Sequence, residues 1–197
     1  MISRTISLFG LLALAMSTIV IASNYLVQFP IKYLGLQEIL TYGAFSYPIT
    51  FLITDLANRT YGKIIAKKIV YVGFVIGVLI TLLVSTNFED FISIRIAVGS
   101  GAAFLVAQII DVNIFDKLRQ NKNWYVAPLT SSLIGSAIDT FLFFSISFYK
   151  TSIPWVSLAI GDFLVKLLMA ALMLIPFRIL LKKIRKINDK KFFYKTS

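Results

Sequence analysis

The sequence predicts an all-α integral membrane protein with six transmembrane helices and both termini on the cytoplasmic side. Three observations carry that prediction. The 197 residues are 58% hydrophobic and only 15% charged, and mean hydropathy is +0.83. An ordinary soluble domain carries roughly 25% charged residues, and a soluble chain of this size has too much surface relative to core to hide so much apolar side chain. Six apolar runs follow one another, separated by short polar links, and a helix needs about 20 such residues to cross the hydrocarbon. The Lys and Arg residues alternate from link to link.

The runs cover residues 6–29, 39–56, 64–84, 91–115, 124–149 and 153–181. Pro30, Lys32 and Glu38 occupy the first link, and Asn87, Glu89 and Asp90 the third. Helices are expected because they satisfy every backbone polar group inside lipid. One domain over 1–197 results, closed by a basic cytoplasmic tail over 182–197.

Orientation follows the Lys/Arg bias. With six spans, Arg4, the link residues Arg59, Lys63, Lys67, Lys68, Lys117, Arg119 and Lys122, and eight basic residues from Arg178 to Lys195 fall on one side, 16 in all. Lys32 and Lys150 fall on the other, and Arg95 and Lys166 lie inside spans. Arg4 before an apolar run also fits a cleaved signal peptide. Removing that run leaves five spans and moves the tail to the opposite side, whereas the link charges alternate for six. A retained first helix in the cell inner membrane, multi-pass, is the expectation.

Absences narrow the chemistry. With no Cys and no His, thiolate nucleophiles, zinc–thiolate sites and the usual general base near neutral pH are excluded. No cofactor or metal site is expected. The net charge of +11 belongs to the membrane-facing links and tail, where each basic residue gains about 1 kcal/mol near anionic lipid. Lys182, Lys183, Arg185, Lys186, Lys190 and Lys191 sit beside few aromatics and no RNA-binding motif, so nucleic acid is not an expected partner. No P-loop is present.

The informative residues interrupt the apolar runs. An Asp at a helix centre costs about 2.5–3.5 kcal/mol on insertion scales, so such residues face a bundle interior or a wet cavity. Asp55, Asp111, Asp139 and Asp162 all fall within or near the ends of spans. Tyr47, Phe51 and Asp55 share one face of the second span at i, i+4 spacing. Arg59 is one turn beyond Asp55, and the spacing permits an intrahelical ion pair. Ser46, Thr50, Thr54 and Asn58 form an adjacent polar stripe that must face protein or cavity. Gln108 and Asp111 share a face of the fourth span, and the Gln108 amide needs a partner.

Asp139 lies midway along the fifth span with no basic residue within a turn, on a face of Ser132, Gly135 and Ser136. Small residues let helices approach closely or leave room for a ligand. Asp162 and Lys166 are an i, i+4 pair able to neutralise one another, and Asn24 is suited to a bond across helices. Tyr47-Pro48-Ile49-Thr50 and Ala127-Pro128-Leu129-Thr130 open spans at matching places in two three-helix halves. An inverted 3+3 repeat gives that pattern, with a site between halves.

Embedded carboxylates with amides and aromatics suit a small, flat, polar solute. A purine-like edge with adjacent N–H donors pairs with one carboxylate, and a cationic substituent wants a second. Amines, vitamins and ions fit the composition too. The residues themselves lead to a small-solute transporter, or to the substrate-binding subunit of an energy-coupling-factor vitamin transporter. An intramembrane aspartyl protease needs Tyr-Asp and Gly-x-Gly-Asp, and only the fragment Ile160-Gly161-Asp162 is present, so no enzyme is expected.

The stretches ASNYLVQ at 22–28 and TYGAFSYPITFLITDL at 41–56, with Gln108-x-x-Asp111, Ser131-Ser132 followed by Asp139, and Asp162-x-x-x-Lys166, resemble the queuosine precursor transporter family, the YhhQ-like or VUT group of small six-span proteins. The resemblance covers nearly the whole chain. It implies import of 7-deazaguanine bases, preQ0 and preQ1 and in some members queuine, for salvage into modified tRNA. It also implies a nucleobase as the small-molecule partner, with a homodimer left open. On that reading the substrate-binding candidates are Asn24, Tyr47, Phe51, Asp55, Gln108, Asp111 and Asp139. Asp139 or Asp55 takes the donor edge, Gln108 and Asn24 the carbonyl side, Phe51 or Tyr47 the ring face, and Asp111 the variable substituent. Arg59, Asp162 and Lys166 are structural or coupling residues.

Overall fold

A computed structural model of the chain describes residues 2–27, 29–33, 40–85 and 88–193, with side chains over 9–27, 29–33, 40–83 and 88–183. Arg4, Gln28, Glu38, Asn87 and the tail residues beyond Lys183 lie outside the described residues or side chains. The helices are α1 (Ile2–Leu26), α2 (Gly43–Ser46), α3 (Ile49–Tyr61), α4 (Lys63–Ile80), α5 (Phe91–Leu118), α6 (Val126–Phe148) and α7 (Trp155–Phe193). Among the described residues, five segments are long and apolar enough to cross a membrane: Phe9–Leu26, Lys63–Leu83, Phe91–Leu118, Val126–Phe148 and Trp155–Lys183.

The second predicted span differs from a plain helix. It breaks at Tyr47-Pro48, between α2 and α3. Proline lacks the N–H that would continue the ladder. The backbone keeps helical φ/ψ through the interruption, at Tyr47 (−58°, −41°) and Pro48 (−60°, −17°), with bonds from Tyr47 N–H to the Gly43 carbonyl (3.1 Å) and from Thr50 N–H to the Tyr47 carbonyl (3.0 Å). α3 then runs past the predicted end at 56, to Tyr61. Gly62 alone joins it to α4, at φ +84°, a left-handed value that favours glycine.

Other boundaries follow local chemistry. Asp90 caps α5 by accepting from the N–H groups of Ile92 and Ser93, both at 3.1 Å. α4 ends in a π-helical turn, Thr81–Ser85. The predicted tail is a continuation of α7, helical to Phe193.

Close approach of α1 and α4 depends on two glycines spaced by four, a pattern that lets helices meet closely in lipid. A Cβ at Gly73 would stand 2.3 Å from Met16 Cγ, and one at Gly77 2.5 Å from Val20 Cγ1. Met16, Val20, Ile53, Ile69, Val70, Phe104 and Val112 form the core that ties α1, α3, α4 and α5 together. α7 instead turns Ile160, Leu164, Leu168 and Leu172 outward at 45–59% exposure. An apolar stripe of this length on water would be a liability; against lipid tails it is the expected surface.

Candidate functional site

The break in the second span positions the site. Tyr47 sits at the break and reaches a cavity enclosed by the end of α1, by α2, by α5, and by the middles of α6 and α7. Ser23 and Asn24 (α1), Ser100 (α5), Asp139 and Phe143 (α6), and Asp162 and Lys166 (α7) complete its walls with Val27 and Gly43. The void is about 350 Å³, counting the space open at its mouth.

One ion cluster dominates the wall. Lys166 Nζ lies 2.8 Å from Asp139 Oδ2 and 2.6 Å from Asp162 Oδ2. Thr140 Oγ1 donates to Asp162 Oδ2 at 2.7 Å and lies 3.1 Å from the ammonium. The side chains of Lys166 and Asp139 are both 4% exposed. Two carboxylates share one ammonium, which leaves an excess of one formal negative charge in a dry wall. Asp139 Oδ1 accepts no close hydrogen bond in the protein, although the Tyr47 hydroxyl is within reach of this carboxyl; a buried acceptor so weakly served is costly unless a ligand supplies a donor. The ammonium also stands 5.3 Å from the Tyr47 ring centroid, within cation–π range. Phe143, one turn beyond Asp139, adds a second aromatic side.

Asn24 braces the opposite wall. Its amide nitrogen donates to Thr81 Oγ1 at 2.8 Å, and its oxygen accepts from Ser100 Oγ at 2.5 Å. The bond network joins α1, the π turn after α4, and α5. Ser23 and Ser46 hydroxyls, 2.8 Å apart, tie α1 to α2 beside it.

A second polar group lies nearer the α5–α6 link. Asp55 Oδ1 and Oδ2 accept from Ser131 (3.3 Å) and Ser132 (3.4 Å) of α6. Its carboxyl is within hydrogen-bonding reach of Asp111. Asp55 and Asp111 are buried, at 2% and 0% exposure. Ser132 precedes Asp139 by seven residues, about 10 Å along a helix, so the two acidic groups are separate stations on α6. The spacing that permits an Asp55–Arg59 pair resolves differently: Arg59 Nη1 donates to the Arg119 carbonyl.

The structure therefore divides the sequence-predicted residues. Asn24, Tyr47 and Asp139 line the cavity together with the predicted coupling pair Asp162 and Lys166. Asp55 and Asp111 form the other station. Gln108, fully buried, lies on the stripe that joins α3 to α5: its oxygen accepts from Thr54 Oγ1 (2.6 Å) and its nitrogen donates to Thr50 Oγ1 (2.8 Å). Phe51 packs edge-on over Gly135, where a Cβ would meet its Cε1 at 2.7 Å and Asp111 Cβ at 3.4 Å. It is a wall of the Asp55–Asp111 station. Sequence reasoning passed over Ser23, Ser100 and Phe143. The helical spacing of Phe143 from Asp139, and of Ser100 from Phe104 and Gln108, carried the signal for two of them.

Comparison with known proteins agrees with this architecture. The family described as "Putative vitamin uptake transporter" matches residues 41–181. A "Queuosine precursor transporter" of Escherichia coli (strain K12) is 34% identical, over 87% of this chain and 82% of that protein. A "Probable queuosine precursor transporter" of Haemophilus influenzae is 37% identical, over 80% and 79%. One of Bacillus subtilis (strain 168) is 25% identical, over 74% and 72%. No solved structure matches. The matched region spans the broken second helix and all four acidic residues of the two stations, and the chain belongs to this vitamin-uptake transporter family, alongside relatives named for queuosine precursor transport.

Proposed function

We propose that the protein imports queuosine precursors, the 7-deazaguanine bases preQ0 and preQ1 and by extension queuine, across the cell inner membrane. The observation that carries the reading is the Asp139 carboxyl in the cavity wall, whose Oδ1 accepts no close hydrogen bond and has the Tyr47 hydroxyl within reach. A guanine-like edge presents adjacent N–H donors to such an oxygen. Tyr47 and Phe143 offer ring faces for the base plane. The excess negative charge of the Asp139–Lys166–Asp162 cluster suits the aminomethyl cation of preQ1. The relatives' names supply the ligand class. The transporter family supports a carrier rather than an enzyme.

The proposed topology has six crossings, both termini cytoplasmic, and two halves related as a 3+3 inverted repeat. Residues 43–61 support the sixth crossing: they rise about 28 Å at helical pitch, close to the roughly 30 Å of hydrocarbon. Interrupted helices at membrane depth are tolerated where they line a cavity, as Gly43 of α2 and Tyr47 after it do here. In this orientation the cavity opens in the outer half of the membrane, and the Asp55–Asp111 station lies towards the cytoplasm.

Purified protein tests the site. Calorimetric titration with preQ0, preQ1 and guanine should give saturable binding of the deazaguanines that Asp139→Asn abolishes. Binding unchanged in Asp139→Asn would remove that carboxylate from the site.

A further inference from the structure

Asp55 and Asp111 are a buried pair that the proposed base cavity does not use. Neither Asp111 oxygen accepts a close hydrogen bond, and the residue is fully buried. Its neighbours at hydrogen-bonding reach are the Ser131 hydroxyl and another carboxyl, Asp55. Ser136, one turn beyond Ser132 on the same face of α6, also has a buried hydroxyl without a partner.

The charged and titratable groups around the pair are engaged elsewhere. On α3, Arg59 donates to the Arg119 carbonyl. Just past α5, Arg119 pairs with Asp116 at 3.3 Å. On α7, Lys166 is held by Asp139 and Asp162, and Arg178 lies over the Trp124 ring at 4.9 Å. α1 and α4 contribute the apolar side chains of Met16, Ile69 and Val70 on the other side of α3. Among the described residues, no ion pair includes Asp55 or Asp111. Two like charges at hydrogen-bonding reach in such a site raise one another's energy. One proton between the carboxyls removes the repulsion and supplies the missing donor.

We propose that Asp55 and Asp111 share a single proton, bound and released once per transport cycle, and so form a coupling site separate from the base cavity. The inference rests on the transport reading above. Loaded, the pair is a carboxylic acid hydrogen-bonded to a carboxylate, with Ser131 and Ser132 donating to Asp55. Release to the cytoplasmic side leaves two carboxylates, and one proton taken from the outer side restores the pair. One proton enters with each base, and no bond other than O–H is made or broken.

Proteoliposomes carrying the full chain and labelled preQ0 provide the test. Wild type should exchange internal for external base without any gradient, and should accumulate base when the outside is acidic. Asp111→Asn should keep exchange near the wild-type rate and lose pH-driven accumulation. The proposal is overturned if wild type exchanges but a pH gradient drives nothing, if a sodium gradient alone drives accumulation, or if Asp111→Asn still accumulates base. Absence of exchange in wild type contradicts the transport reading instead. A readout independent of transport separates the two cases. The infrared spectrum of purified wild type at neutral pH should carry a protonated-carboxyl carbonyl band that the Asp55→Asn/Asp111→Asn double variant lacks, and identical spectra overturn the shared proton.

Discussion

Lys166 Nζ sits 2.8 Å from Asp139 Oδ2 across the α6–α7 interface, although 27 residues separate them. The contact turns the apparently isolated acid of the fifth span into one arm of a two-acid, one-base cluster. Lys166→Met leaves Asp139 and Asp162 facing one another without the ammonium. Removing one partner of a buried ion pair costs about 3–5 kcal/mol. Thermal unfolding in detergent should register a large loss for Lys166→Met and a partial recovery when Asp162→Asn is added. Equal stability of Lys166→Met and wild type would contradict a buried, charged cluster.

Phe143 is expected to act on affinity alone. It lines the cavity beside Asp139, and an aromatic pair contributes about 0.5–1.5 kcal/mol beyond area burial. Phe143→Leu keeps an apolar side chain and removes the ring face. Base binding by the purified protein should weaken roughly three- to tenfold, each tenfold being about 1.4 kcal/mol, while Phe143→Tyr stays near wild type. An unchanged dissociation constant for Phe143→Leu would take the ring out of the site.

Gln108 should behave in the opposite way. Its bonds to Thr50 and Thr54 stitch α3 to α5 away from the cavity wall. Both threonine hydroxyls also have backbone acceptors, the carbonyls of Tyr47 and Thr50. Gln108→Leu should therefore cost only about 0.5–1.5 kcal/mol of stability, the net worth of a typical hydrogen bond, and leave base affinity unaltered. A selective loss of affinity would place Gln108 in the site after all.

These contrasts show which features of the molecule a sequence exposes. The Asp162–Lys166 pair is legible because both residues lie on one helix, four apart, and it forms at 2.6 Å. The Asp139–Lys166 pair is not, because it depends on how α7 docks on α6. The polar stripe of the second span is legible as a protein-facing surface, and Thr50 and Thr54 do meet Gln108. Its break is harder to read: the apolar run continues through Pro48, and only the backbone reveals two helices. Seven residues of similar chemistry read from sequence as one site. The axial distance along α6 separates six of them into two stations and leaves Gln108 on the α3–α5 stripe, a fact that residue type alone does not contain. The Gly73–Gly77 spacing stood in the sequence as a helix-packing signal, but it acquires meaning only with Met16 and Val20 opposite.

The proposed orientation can be read directly, because the chain has no Cys and every introduced thiol is unique. Ser152, at the α6–α7 turn, and Lys122, in the α5–α6 link, are both exposed. A membrane-impermeant maleimide applied to intact cells should label Ser152→Cys, and should label Lys122→Cys only after permeabilisation. The reverse pattern would invert the topology and exchange the inner and outer stations.

Uptake in living cells bears most directly on the central claim. Bacteria that neither make queuosine precursors nor carry their own transporter would express either wild type or Asp139→Asn and receive labelled preQ0, preQ1 or queuine. The account predicts saturable uptake of at least one base by wild type. In Asp139→Asn uptake should fall at least about tenfold, equivalent to about 1.4 kcal/mol or more, with equal protein in the membrane. Failure of wild type to import any of the three, or undiminished import by Asp139→Asn, would contradict it.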